Sequence, residues 1–272
     1  MKTIEQLQTE RLSFSVGTAM TEGWAYVSKS LVFYILGGVI ALIIGSACSF
    51  VPILGLFANT LIISPCMMAG AIYVTWQISN GRPWIDFGDM FKGFNFMTQL
   101  LISALIQNVI ILIITMVALM SYIPEIIQII KLAAGNGLVS NTDEIRDIVI
   151  GLLSVKTFLL VSVVCIFSLF LSTIWAFKSH FIVIYKMEAW KAMETSRKIA
   201  MRNFFELLGL FIIMGFIVMV SAIPCGIGLL FTLPWMIGST YSAFAQITQC
   251  NNTYDIQKEG FDFLQGENAV TE

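Results

Sequence analysis

Four long stretches of the chain, residues 30–81, 93–124, 157–177 and 207–254, contain no Asp, Glu, Lys, Arg or His. A helix needs about 20 consecutive apolar residues to cross the hydrocarbon core of a membrane. The outer two stretches are each long enough for two crossings and the inner two for one apiece. The pattern therefore predicts six spans, at about 31–49, 53–76, 96–120, 158–177, 205–222 and 226–247. The inner end of the fourth is open, because FIVIY resumes the apolar run after Lys178, Ser179 and His180. If that helix ends at Phe177, Lys178 is an interfacial anchor. If it runs on to Tyr185, Lys178 and His180 sit below the headgroups and line a polar space.

Composition agrees with the pattern. Hydrophobic residues make up 57% of the chain, charged residues 12%, and mean hydropathy is +0.85, against about 45–50% and about 25% in soluble globular domains. The fold class expected is all-α, a polytopic membrane bundle of six transmembrane helices over 1–247 with an acidic tail over 248–272. The N-terminal MKTIEQLQTERLSF lacks the pattern of a removable signal peptide, so the first span is expected to act as its own insertion signal. Lys and Arg set the orientation. Twelve of the 15 fall in the N-terminal segment, the second and fourth connections and the tail, and only Lys131, Arg146 and Lys156 fall on the other side. Both termini are expected to be cytoplasmic, in a cell (inner or plasma) membrane.

Two hairpins share their punctuation. Gly37 and Pro52 are 15 residues apart, as are Gly209 and Pro224, and Gly70, Tyr73 and Trp76 match Gly238, Tyr241 and Phe244 in spacing. Both hairpins leave from the same side, so the duplication is parallel. Pro52 and Pro224 suit helix stops at the outer turns. Pro65 and Pro234 lie inside the second arms and should kink them, while Gly70 and Gly238 allow close helix approach. Before each odd-numbered span lies an amphipathic cytoplasmic segment: Met20, Trp24, Val27 and Leu31; Trp84, Phe87, Phe91 and Phe94; and Trp190, Met193, Arg197, Ala200 and Phe204. Such stripes suit either the headgroup layer or packing against the inner ends of the bundle. Outside, Asn141 and Glu144 at capping-box spacing start a short apolar helical face.

The layout resembles bacterial six-span membrane proteins of the YciC-like kind and the membrane domain joined to some glycerophosphodiester phosphodiesterases. The residues that carry the resemblance are TEGWAYVSKS at 21–30, DMFKGFNF at 89–96, EAWKAMETSRKIAMRNF at 188–204 and the PCGIGLLFTLPWMIGSTYSAF hairpin. The resemblance implies a shared architecture. No phosphodiesterase domain is present, so no hydrolase activity follows from it.

Candidate chemistry is sparse. His180 is the single histidine, and the five cysteines show no C-x-x-C spacing. They read as small apolar fillers, with a Cys48–Cys225 bridge across the outer turns as the alternative. No nucleotide-binding or nucleophile-elbow motif occurs, and no cofactor or metal is expected. Asn59, Gln107, Asn108, Lys178 and His180 are the candidate polar path; Lys186, Lys191, Arg197, Lys198 and Arg202 are the candidate headgroup contacts. The reading these residues favour is a non-enzymatic membrane protein that organises lipid or partners, the latter being other membrane proteins or a second copy. The alternative is a passive or partner-driven transporter or channel for a small or lipid-like molecule, with Pro65 and Pro234 as gates. A net charge of −2, with the basic residues beside the membrane, gives no reason to expect nucleic acid.

Overall fold

The computed structural model describes residues 13–48, 50–82, 86–124, 127, 155–223 and 226–250. Every regular element among them is helical: α1 (Val16–Ser28), α2 (Leu31–Cys48), α3 (Pro52–Ala58), a π-helical turn (Asn59–Ile63), α4 (Ser64–Ser79), a 3₁₀ segment (Phe87–Phe96), α5 (Met97–Met120), α6 (Val155–Ile174), α7 (Lys178–Ile184), α8 (Ala189–Arg202), α9 (Phe204–Ala222) and α10 (Leu229–Thr248). Trp84, Pro224, Cys225, the 141–153 capping box and face, and the acidic tail lie outside the described residues. The chain forms two compact units, one comprising 1–104 with 173–272 and the other 105–172.

Five helical segments are long and apolar enough to cross a membrane: Leu31–Cys48, Leu54–Ser79, Phe87–Met120, Thr157–Ile184 and Phe204–Ala222. Their outward side chains are large and apolar, as on α9, where Phe205, Ile212, Phe216 and Met219 are exposed. The sixth expected span is a helix of sufficient length, but α10 is not among the five. Its C-terminal half is built from small and polar residues, Gly238, Ser239, Thr240, Tyr241 and Ser242, all buried in the protein.

Two close crossings hold the larger unit together. On α1 the buried residues are Ala19, Gly23 and Val27, a narrow stripe at i, i+4, i+8 that lies along α10. A Cβ at Gly23 would collide with the Ser239 backbone, and one at Gly238 with the Gly23 carbonyl oxygen. The 3₁₀ segment lies along α4 in the same way: a Cβ at Gly70 would meet the Met90 carbonyl, and one at Gly93 the Cys66 carbonyl. Small residues allow this approach, and dispersion contacts along the seam hold it.

The two prolines do not break their helices. Pro65 follows the π-helical turn directly, where the Ser64 amide donates to the Asn59 carbonyl. Pro234 sits buried inside a continuous α10.

The fourth span follows neither of the two courses open from sequence. Helix α6 ends at Ile174, three residues form a turn, and α7 resumes at Lys178. A side chain from α8 stabilises this interruption. Ser196 Oγ donates to the Ile174 carbonyl (3.1 Å) and accepts from the Phe177 amide (3.1 Å). Two main-chain groups freed by the turn are thereby paired inside the core.

Candidate functional site

The three pre-span segments divide their residues in a way the aromatic stripes did not predict. On α1 the small stripe is buried, while Trp24 is 44% exposed. On the 3₁₀ segment Asp89, Met90 and Gly93 are buried, and Phe87 and Phe91 face outward. On α8 the buried residues are Ala189, Ala192, Met193, Thr195, Ser196, Ile199 and Ala200, while Trp190 is 70% exposed. Close packing requires small side chains, so these take the protein-facing side and the aromatics are turned out. The expected stripe on α8 is split: Met193 and Ala200 point in, Trp190 and Arg197 point out.

Lys186, Lys191, Arg197, Lys198 and Arg202 are all exposed. Within this group Glu194 forms an intrahelical ion cluster. Arg197 donates to both its carboxylate oxygens, Nη2 at 2.7 Å and Nε at 3.0 Å, and Lys198 Nζ lies 3.6 Å away. Hydrogen bonding from Arg197 holds the Glu194 carboxyl below its ordinary range.

Two carboxylates that the sequence reading passed over lie at the crossings. Asp89, with a side chain only 3% exposed, pairs with Lys92 (2.6 Å) and Arg82 (3.2 Å) and accepts from the Asp86 amide (3.1 Å) in a capping box. Lys92 also sits 5.2 Å from the Tyr73 ring centroid, tying the 3₁₀ segment to α4. Glu22 on α1 accepts from Ser242 Oγ (2.6 Å) and Gln246 Nε2 (3.2 Å) on α10, and Gln246 Oε1 accepts from the Ser15 amide (3.1 Å). The Asp86-x-x-Asp89 spacing was the signal available for the first. Nothing local marks the second, whose partners Ser242 and Gln246 are 220 and 224 residues away.

The candidate polar path is dispersed. Asn59 is partly buried in the π-helical turn, its Oδ1 against Gly45 of α2. Gln107 and Asn108 belong to the smaller unit, Gln107 partly buried and Asn108 exposed. Lys178 Nζ donates to the Ser103 carbonyl at 3.4 Å. His180 is fully buried, its ring stacked on Phe244 at 5.0 Å between centroids and close to Phe177 and Tyr241. Neither of its nitrogens makes a well-formed hydrogen bond. Its surroundings are an aromatic core, in place of the polar space that a longer fourth helix suggested.

Among the described residues Cys48, Cys66 and Cys165 are free thiols. Among the described residues no three His, Cys, Asp or Glu side chains converge as a metal site would require. No protein-family model, curated protein or solved structure matches the chain. Its class therefore rests on its own helices: an all-helical chain with five segments able to cross a membrane, which fits a multi-pass membrane protein.

Proposed function

We propose that the chain is a six-span, non-enzymatic inner-membrane protein with both termini cytoplasmic, which holds anionic lipid, or a partner carrying it, at its inner surface. Its sixth span is α10, shielded from lipid along its polar half by α1. The three pre-span segments form a repeated inner layer, each laid against the second arm of a hairpin: the 3₁₀ segment on α4, α8 on α7, and α1 on α10. The order is cyclic, so the first segment closes onto the last arm.

The observation that carries the reading is the division of α8. Its small residues are spent on packing, and its outward face presents Trp190 among four exposed cations, Lys191, Arg197, Lys198 and Arg202, beside the start of an apolar helix. Aromatic and basic side chains together are what the headgroup layer accepts. Some interior polar groups join helices, as in the pairs Tyr34–Thr75 (2.8 Å) and Ser79–Tyr241 (2.6 Å). A conduit gated at Pro65 and Pro234 has less support, because the helices run continuously through both positions.

The experiment is extraction of the full chain in mild detergent, followed by analysis of the retained phospholipid. Enrichment of anionic species over the host membrane is expected. A lipid profile equal to that of the bulk membrane would contradict the reading.

A further inference from the structure

The outward surface of α8 is not uniform. At 100° per residue its exposed positions fall into two rows, each with spacing i, i+7, i+11. One row is Trp190, Arg197 and Met201; the other is Lys191, Lys198 and Arg202. Glu194 lies between them and pairs across, to Arg197 in the first row and Lys198 in the second. The second row contains only cations and extends about 16 Å at 1.5 Å rise per residue. That is longer than one phosphate group and suits a layer of headgroups. Helix α8 ends at Arg202, and Asn203 in a turn is all that separates it from α9, an apolar helix with Phe205 82% exposed at its first turn. Helix α9 is one of the five segments able to cross a membrane, so the end of α8 at Arg202 lies within two residues of one.

We propose that Lys191, Lys198 and Arg202 form a single headgroup row for anionic phospholipids of the adjoining leaflet. Trp190 and Met201 seat the opposite shoulder at the acyl boundary, and Glu194 competes with lipid phosphate for the neighbouring cations. The proposal rests on the lipid-holding reading above and narrows it to one row, assigning Lys186 and Arg197 minor parts. Charge complementarity names the occupant: three cations in line, beside a bilayer, are met by anionic headgroups.

The test uses the full chain in phosphatidylcholine vesicles at low ionic strength, with trace spin-labelled phosphatidylglycerol. Its association is measured relative to spin-labelled phosphatidylcholine. The wild type should prefer the anionic lipid by about fivefold, roughly what one well-placed surface cation contributes, and lose that preference as salt is raised. The combined Lys191→Gln, Lys198→Gln, Arg202→Gln variant should fall below about twofold. Lys186→Gln should stay near the wild type, and Glu194→Gln should rise above it. All are exposed or half-exposed positions, and circular dichroism and thermal melting check that each variant remains folded. Full anionic preference in the folded triple variant would overturn the row while leaving the lipid reading standing. Parity of the two lipids in the wild type would overturn both.

Discussion

At Gly70 and Gly238 the group that an added side chain would meet is a backbone carbonyl, which cannot move aside as a flexible side chain could. Leucine at either should cost at least about 3 kcal/mol, the upper range for overpacking, seen as lost thermal stability in detergent. At Gly209 and Gly215, on α9, an added methyl group would meet nothing within 4 Å. Alanine there should stay within about 0.5 kcal/mol of the wild type. Asp89→Asn tests the other kind of contact. It preserves shape but removes the charge shared by Lys92 and Arg82, at a cost of about 2 kcal/mol. The cost is held down because Lys92 and Arg82 are themselves 42% and 40% exposed. An unchanged melting temperature in Asp89→Asn would show that the carboxylate does not anchor the 3₁₀ segment.

At the level of elements, the interruption between α6 and α7 depends on one hydroxyl. Ser196→Ala leaves the Ile174 carbonyl and the Phe177 amide without that partner, which should destabilise the chain by about 1–3 kcal/mol. Ser196→Thr keeps the hydroxyl and should recover part of the loss; equal stability of the Ala variant would remove Ser196 from this role. Helix existence was legible because charge-free runs of about 20 residues leave the backbone few options in a membrane. The register of the pre-span helices was not. A stripe of Trp, Phe and Met has the same period as the small residues beside it, and only the partner helix decides which side is buried. The break at Trp175 to Phe177 was hidden for the same reason, since Ser196 is 22 residues from the carbonyl it satisfies.

For the whole molecule, the matching punctuation of the two hairpins drew attention to Gly70 and Gly238, and at each of these a backbone carbonyl of another segment approaches closely. Continuity of the helical backbone through Pro65 and Pro234 was not readable, because no distinctive residue marks the π-helical turn that precedes Pro65 or the buried setting of Pro234. His180 was recognisable as the one unusual side chain near a span, but its aromatic setting comes from Tyr241 and Phe244 of α10, far along the chain. The proposed lipid-holding function implies a packed structure without a water path through it. Single cysteines at 59, 107, 108, 178 and 180 in a cysteine-free version, exposed from each side to a membrane-impermeant thiol reagent, test this most directly. Silence is expected at 59, 107, 108 and 180, with any reaction confined to 178 from the inner side. Labelling at 107 or 108 would reveal water at mid-membrane and contradict it.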